Sequence, residues 1–312
     1  MKHTNYLQLL AAVLLCYLAK PAVTLAQNLN VNGDLSVTGN TSLGGKLTLG
    51  SGSTAASGGI ALGESSNAGE DAFAWGENAN AQGHYSLALG PGSHASGSAA
   101  VAIGWSALAT GDESVAIGGY GDNAVMATAW LSTAFGFGVA NGSYSLAAGG
   151  AVANGSYSVA LGNQNSMALG DTSFAFGYNS FANGGLSIAM GGYADANGEG
   201  SMAIGGDYWG RTEADGDSSV AIGLSLNSNT LSQTTIGVCN DVHAGSATTW
   251  VSTDDLFVIG NGEFGWKQDP QTSEWNLVNN PSNALTVKKD GTVLIHPQGD
   301  LLMGGFTAGP QP

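Results

Sequence analysis

Ser114-Val115-Ala116-Ile117-Gly118 decides the fold. Along an extended strand, side chains alternate between two faces. Ser114, Ala116 and Gly118 therefore share one face, and Val115 and Ile117 share the other. The pattern returns at Val101-Ala102-Ile103-Gly104, Val159-Ala160-Leu161-Gly162 and Val220-Ala221-Ile222-Gly223. Its glycines at Gly63, Gly76, Gly90, Gly104 and Gly118 are 13 or 14 residues apart, and the series continues through Gly136, Gly149, Gly162, Gly177, Gly191, Gly205 and Gly223. Two steps are 18 residues, so about four residues are inserted after Gly118 and again after Gly205. A fixed period of this kind marks a solenoid, in which each coil stacks on the last.

Between these units lies a more polar one, as in Ala79-Asn80-Ala81-Gln82-Gly83 and Ser93-His94-Ala95-Ser96-Gly97. Each coil is thus two halves separated by about two residues, and the two sheets must lie very close. Small residues fit between them, which turns Val115 and Ile117 outward. One outer face is then expected to be polar. The other becomes an apolar stripe that includes Val101, Ile103, Val115, Ile117, Val159, Leu161, Val220 and Ile222. A contiguous stripe of this size calls for a partner, and self-association about an axis parallel to the solenoid supplies one. A wider roll with Val and Ile inside is the alternative, and it would make the monomer self-sufficient.

The alternation of S-V-A-I-G with A-x-A-x-G over about Ser57 to Gly223 resembles the head repeat of the YadA-like trimeric autotransporter adhesins. The resemblance implies a left-handed parallel β-roll, a homotrimer joined through the Val/Ile face, and attachment to extracellular matrix, cells or glycans. The chain departs from the family's pattern in two places. No heptad stalk is visible, and the ending Ala308-Gly309-Pro310-Gln311-Pro312 lacks the alternating apolar strands of an outer-membrane anchor. No transmembrane anchor of its own is therefore expected.

Lys2, the apolar run Leu9 to Ala19 and Thr24-Leu25-Ala26 read as a signal peptide over 1–26, which implies export. Leu15 precedes Cys16 where lipidation needs a small residue. After cleavage, five basic residues face 23 acidic ones, a formal charge of −18. So acidic a surface repels phosphate backbones, and nucleic acid is not expected as a partner. Only Cys239 remains, so no intrachain disulfide forms; a buried, inert thiol is expected, with pairing between chains as the alternative. The expected organisation is a β-rich cap over 27–55, the β-roll over 56–240 and a small β module over 241–312. In that last module, Asp255 to Gly260 should form one strand and Ala284 to Ile295 a hairpin about Asp290-Gly291.

Signals for chemistry are sparse. Gly260-Asn261-Gly262-Glu263-Phe264-Gly265 matches G-x-G-x-x-G, but the following Trp266 to Pro270 looks turn-like and no helix follows. His84, His94, His243, His296 and Cys239 have no metal-ligand spacing. Asp207, Glu213, Asp215 and Asp217 could favour Ca²⁺, but the motif of calcium-binding β-rolls is missing. No cofactor and no catalytic residue is expected. The insertions are the candidate recognition features: the first carries Tyr120 and Trp130, and the second Tyr208, Trp209 and Arg211. These either bind a protein or glycan ligand or pack against a neighbouring chain. An ice- or mineral-binding solenoid is a rival that the scarcity of Thr disfavours, and a fibre acting on polysaccharide is another.

Overall fold

The computed structural model describes residues 45–121, 123–163 and 165–296. The leader at 1–26, most of the expected N-terminal cap and the last residues of the chain lie outside them. Every regular element among the described residues is a β-strand, and about fourteen coils stack at a spacing of about 14 residues. Two parallel ladders form the solenoid. The first runs from Leu47–Leu49 through Val115–Gly118 to Thr234–Val238 and carries the S-V-A-I-G halves. The second, of 13 strands of two or three residues, runs from Thr54–Ala55 to Leu226–Ser228.

The register keeps like residues in columns. Val115 lies between Val101 and Thr133, and Ile117 between Ile103 and Phe135. Val159 and Leu161 pair onward with Phe174 and Phe176, while Val220 and Ile222 follow Met202 and Ile204. Between the ladders the buried set is almost entirely alanine, including Ala102 and Ala116 from the first and Ala95 and Ala109 from the second. Serines such as Ser114, Ser158 and Ser187 are buried at the corners. Independent sheets stack about 10 Å apart, but two-residue corners hold these closer, and Ala, Ser and Gly are what fit. The wider roll with Val and Ile inside is thereby excluded.

Corner geometry recurs with the coil. Tyr144 (φ 58°), Tyr157 (φ 58°) and Leu186 (φ 59°) hold the left-handed conformation at equivalent places. Residues other than glycine adopt it at a cost of roughly 1–2 kcal/mol each. The side chains at these corners are exposed and project from an edge of the solenoid.

The outer face of the second ladder corrects the expectation of a polar surface. Its first coils are polar: the Thr54 hydroxyl donates to Asn67 Oδ1 (2.8 Å), and Asn80 Nδ2 meets His94 Nδ1 (3.0 Å). From Leu108 the same column turns apolar, passing through Met126, Val139, Val152 and Met167 to Phe181. It becomes polar again at Asp195, Glu213 and Asn227. The polar examples quoted from the sequence came from the early coils, where Asn and His do occupy this position.

The parallel ladder also runs past both expected boundaries. Leu47–Leu49 pairs in parallel with Ile60–Leu62, so residues placed in the cap form a coil. At the other end, Asp255–Asn261 continues the first sheet beside Thr234–Val238 and pairs antiparallel with Asn283–Lys288. Asn283–Lys288 and Val293–Ile295 form the hairpin about Asp290-Gly291. Glu263–Gln268 and Trp275–Asn280 form a separate two-stranded hairpin. Trp266 to Gln268 is therefore strand, and the turn begins at Asp269, whose Oδ1 accepts the Gln271 N–H at 2.7 Å.

Candidate functional site

The solenoid has two edges, one where the chain passes from the first ladder to the second and one where it returns. Both insertions fall on the outgoing edge. In the second, Asp207 Oδ1 accepts the N–H groups of Trp209 (2.9 Å) and Gly210 (2.8 Å), an Asx-type turn that fixes the loop. Tyr208 and Trp209 project from it, 65% and 52% exposed.

These rings end a longer row. Tyr178 and Tyr193 follow Gly177 and Gly192 at the corresponding turns of the two preceding coils. Ring centroids are 5.5 Å apart for Tyr178–Tyr193 and again for Tyr193–Tyr208. Tyr208 meets Trp209 edge-to-face at 4.7 Å, and Trp209 meets Trp266 of the Glu263–Gln268 strand edge-to-face at 5.1 Å. Beside Trp209, between the insertion and the C-terminal hairpin, opens a cleft of about 610 Å³ with Arg211, Glu213, Asn227, Asn240, Asp241 and Phe264 in its walls. Cys239, a free thiol, is buried beside it, with Sγ 3.0 Å from Asn279 Oδ1, and burial pushes its pKa up.

Arg211 is engaged by its own chain. Its guanidinium pairs with the buried carboxylate of Asp195 one coil earlier and lies 5.9 Å from the Phe181 ring centroid. Burial pushes the Asp195 carboxyl up to about 6, an effect that Arg211 opposes and the neighbouring Glu213 and Asp215 reinforce. Alongside runs a polar ladder. Asn183 Nδ2 donates to Asn197 Oδ1 (2.6 Å), Asn197 Nδ2 to Asp215 Oδ1 (2.6 Å), and Asn227 Nδ2 to both Glu213 and Asp215.

Tyr208, Trp209 and Arg211 are thus brought together, whereas the other two candidates lie elsewhere. Tyr120, in the first insertion, bridges to Asn123 and packs against Trp105 of the preceding coil at 5.5 Å. Trp130 occupies an ordinary turn on the return edge, where it begins a second aromatic stack with Tyr144 (4.9 Å) and Tyr157. Tyr178, Tyr193 and Trp266 were not anticipated. Tyr178 directly follows the repeat glycine Gly177 and Tyr193 stands two residues after Gly191, so aligning the two residues after each repeat glycine would have exposed both, whereas the approach of Trp266 depends on tertiary structure.

The acidic residues of the second insertion occupy three different places. Asp207 caps its own turn, Glu213 and Asp215 bind Asn227, and Asp217 Oδ1 accepts the Glu199 N–H on the return edge (2.9 Å). Stacking does gather one cluster that linear spacing hid: Glu70, Asp71 and His84, all exposed, have ligand atoms within 4.8 Å of one another. No helix among the described residues is long and apolar enough to cross a membrane.

A family profile for the YadA head domain repeat matches residues 68–93, 95–120, 140–165, 163–187 and 182–207. The matched segments are coils of the two-ladder body, and they are similar to the heads of surface-exposed adhesins. No curated protein matches the chain.

Proposed function

We propose that the protein is an exported, non-enzymatic surface rod that assembles as a homotrimer and attaches to cells, matrix proteins or glycans. The observation supporting this is the apolar column outside the first ladder, interrupted at Thr133, through Val101, Val115, Val159 and Val220 and, beside them, Ile103, Ile117, Leu161 and Ile222. An alanine interior cannot shelter those side chains. Fully burying each is worth roughly 1.5–3 kcal/mol, and a cyclic assembly with its axis along the solenoid buries them together. The YadA head repeats support the adhesive part, and the leader at 1–26 supports export. The edges, with Tyr120, Tyr208 and Trp209 exposed, are then among the surfaces left for ligands.

The test is the solution mass of the chain from Gln27, measured by light scattering and followed by attachment to immobilised cells and matrix proteins. Three times the chain mass is expected. A stable monomer overturns the assembly, and a trimer that attaches to no cell, matrix protein or glycan overturns the adhesive role.

A further inference from the structure

We infer that the aromatic edge from Tyr178 to Trp266, with the cleft beside Trp209, is a binding track for an extended, neutral oligosaccharide. The inference rests on the adhesive role proposed above and names its ligand class. The solenoid places the Tyr178, Tyr193 and Tyr208 rings at two successive steps of 5.5 Å, close to the strand spacing of about 4.8 Å that sets the coil rise. The row is one ring wide and follows the axis, the shape that suits a linear polymer. Sugars in the pyranose form present a flat C–H face once per residue, and such a face stacks on an aromatic ring. The edge-to-face contacts of Tyr208 with Trp209 and of Trp209 with Trp266 leave ring faces open to solvent. On the return edge, by contrast, Tyr144 and Tyr157 lie parallel, with 6° between their planes, and cover one another.

The cleft supplies what rings alone lack. Its volume of about 610 Å³ falls within the roughly 300–1,000 Å³ of ligand sites. Glu213 and Asp241 in its walls offer carboxylate acceptors suited to sugar hydroxyls. Charge selects the ligand class. Glu213 and Asp241 line the cleft and Asp215 is bonded to its Asn227, in a chain of formal charge −18 after cleavage, and Arg211 is committed to Asp195. Sulfated and uronate-rich glycans are repelled.

The test is affinity electrophoresis of the full chain through gels carrying a β-glucan, a galactomannan, an amylose or heparin, with Trp fluorescence followed in parallel. Retardation by at least one neutral polysaccharide is expected. It should weaken at least tenfold in Tyr208→Ala/Trp209→Ala and persist in Tyr144→Ala/Tyr157→Ala, with unchanged circular dichroism showing that both variants fold. No retardation by any neutral polysaccharide, retardation by heparin alone, or equal retardation of both variants overturns the track. Attachment to cells and matrix proteins is measured on the same samples. Attachment without neutral-glycan retardation rejects the track and keeps the adhesive role. Retardation without attachment keeps the track and rejects attachment to cells and matrix.

Discussion

Arg211 reaches across one coil to hold the carboxylate of Asp195, which is only 4% exposed, while its guanidinium lies over the Phe181 ring. The pair marks the point where the outer column of the second ladder changes from apolar to acidic. Desolvation outweighs the guanidinium here, because the Arg211 side chain is 49% exposed while the carboxylate is enclosed.

A pH dependence of stability follows, of opposite sign to that of an ordinary salt-bridged carboxylate. The folded pKa of Asp195 is about 6 against an ordinary 3.8, so between those values the folded chain binds more protons than the unfolded one. Stability then falls as pH rises through that window. Asp269 and Asp290 are shifted in the opposite direction, below 3.8, so their transitions lie at lower pH. Thermal midpoints should rise from pH 7 to pH 5 in the native chain and stay flat in Asp195→Asn. Equal slopes in both would remove Asp195 as the cause.

The two apolar columns make different predictions about assembly. If the first ladder is the interface, Ile117→Asn with Val220→Asn places unpaired amides in it and breaks the oligomer to single chains by light scattering. Val139→Asn with Val152→Asn alters the second ladder's outer face and leaves the mass unchanged. The opposite outcome would move the interface to the column from Leu108 to Phe181.

The buried serines divide by partner, although they occupy one column. Ser86 Oγ donates to the Gly83 carbonyl at 2.7 Å, whereas Ser173 Oγ is buried with no partner among the described residues. Ala72 and Ala100 fill the same place in other coils and are equally buried. Ser86→Ala should cost about 1 kcal/mol. Ser173→Ala should leave denaturant stability unchanged or raise it, because it removes a desolvated hydroxyl and keeps the volume close. A comparable loss in both would show that the Ser173 hydroxyl is bonded in solution.

The solenoid, its register and its small-residue interior were legible in sequence because one column position, one side-chain size and one face go together in every coil. Ala116 and Val115 carry that information themselves. The polar outer face was misjudged because Asn80 and His94 were taken to represent a column that becomes Leu108 and then Met126. Trp130 was assigned to an insertion because the step from Gly118 to Gly136 does not show which corner holds the extra residues. The site was legible only in part. Tyr208 and Trp209 depart from the repeat and so were visible, while Trp266 reaches Trp209 through a hairpin more than fifty residues later in the chain. The pairing of Arg211 with Asp195 and the gathering of Glu70, Asp71 and His84 arise from stacking, which linear motif spacing does not express.

The glycine column sets the strictest requirement on sequence, and Gly104 shows why. Its φ is 130°, a conformation that side chains of L residues rarely adopt, and a Cβ there would run into the carbonyl oxygen of Gly118 in the next coil. That contact is with backbone, so no rotamer change relieves it; the coils must separate locally. Gly104→Ala therefore combines backbone strain of about 1–3 kcal/mol with disruption of the stacking around Ala102 and Ala116. A surface change of similar size, such as Ser98→Ala on the return edge, keeps its backbone N–H bond to Asp112 Oδ1 (2.8 Å) and should cost within about 0.5 kcal/mol. Denaturant unfolding with amide exchange would distinguish them: Gly104→Ala should lower the midpoint and speed exchange in the coils on either side. If Gly104→Ala matches Ser98→Ala in both measurements, the coils are spaced more loosely at this corner than their register indicates.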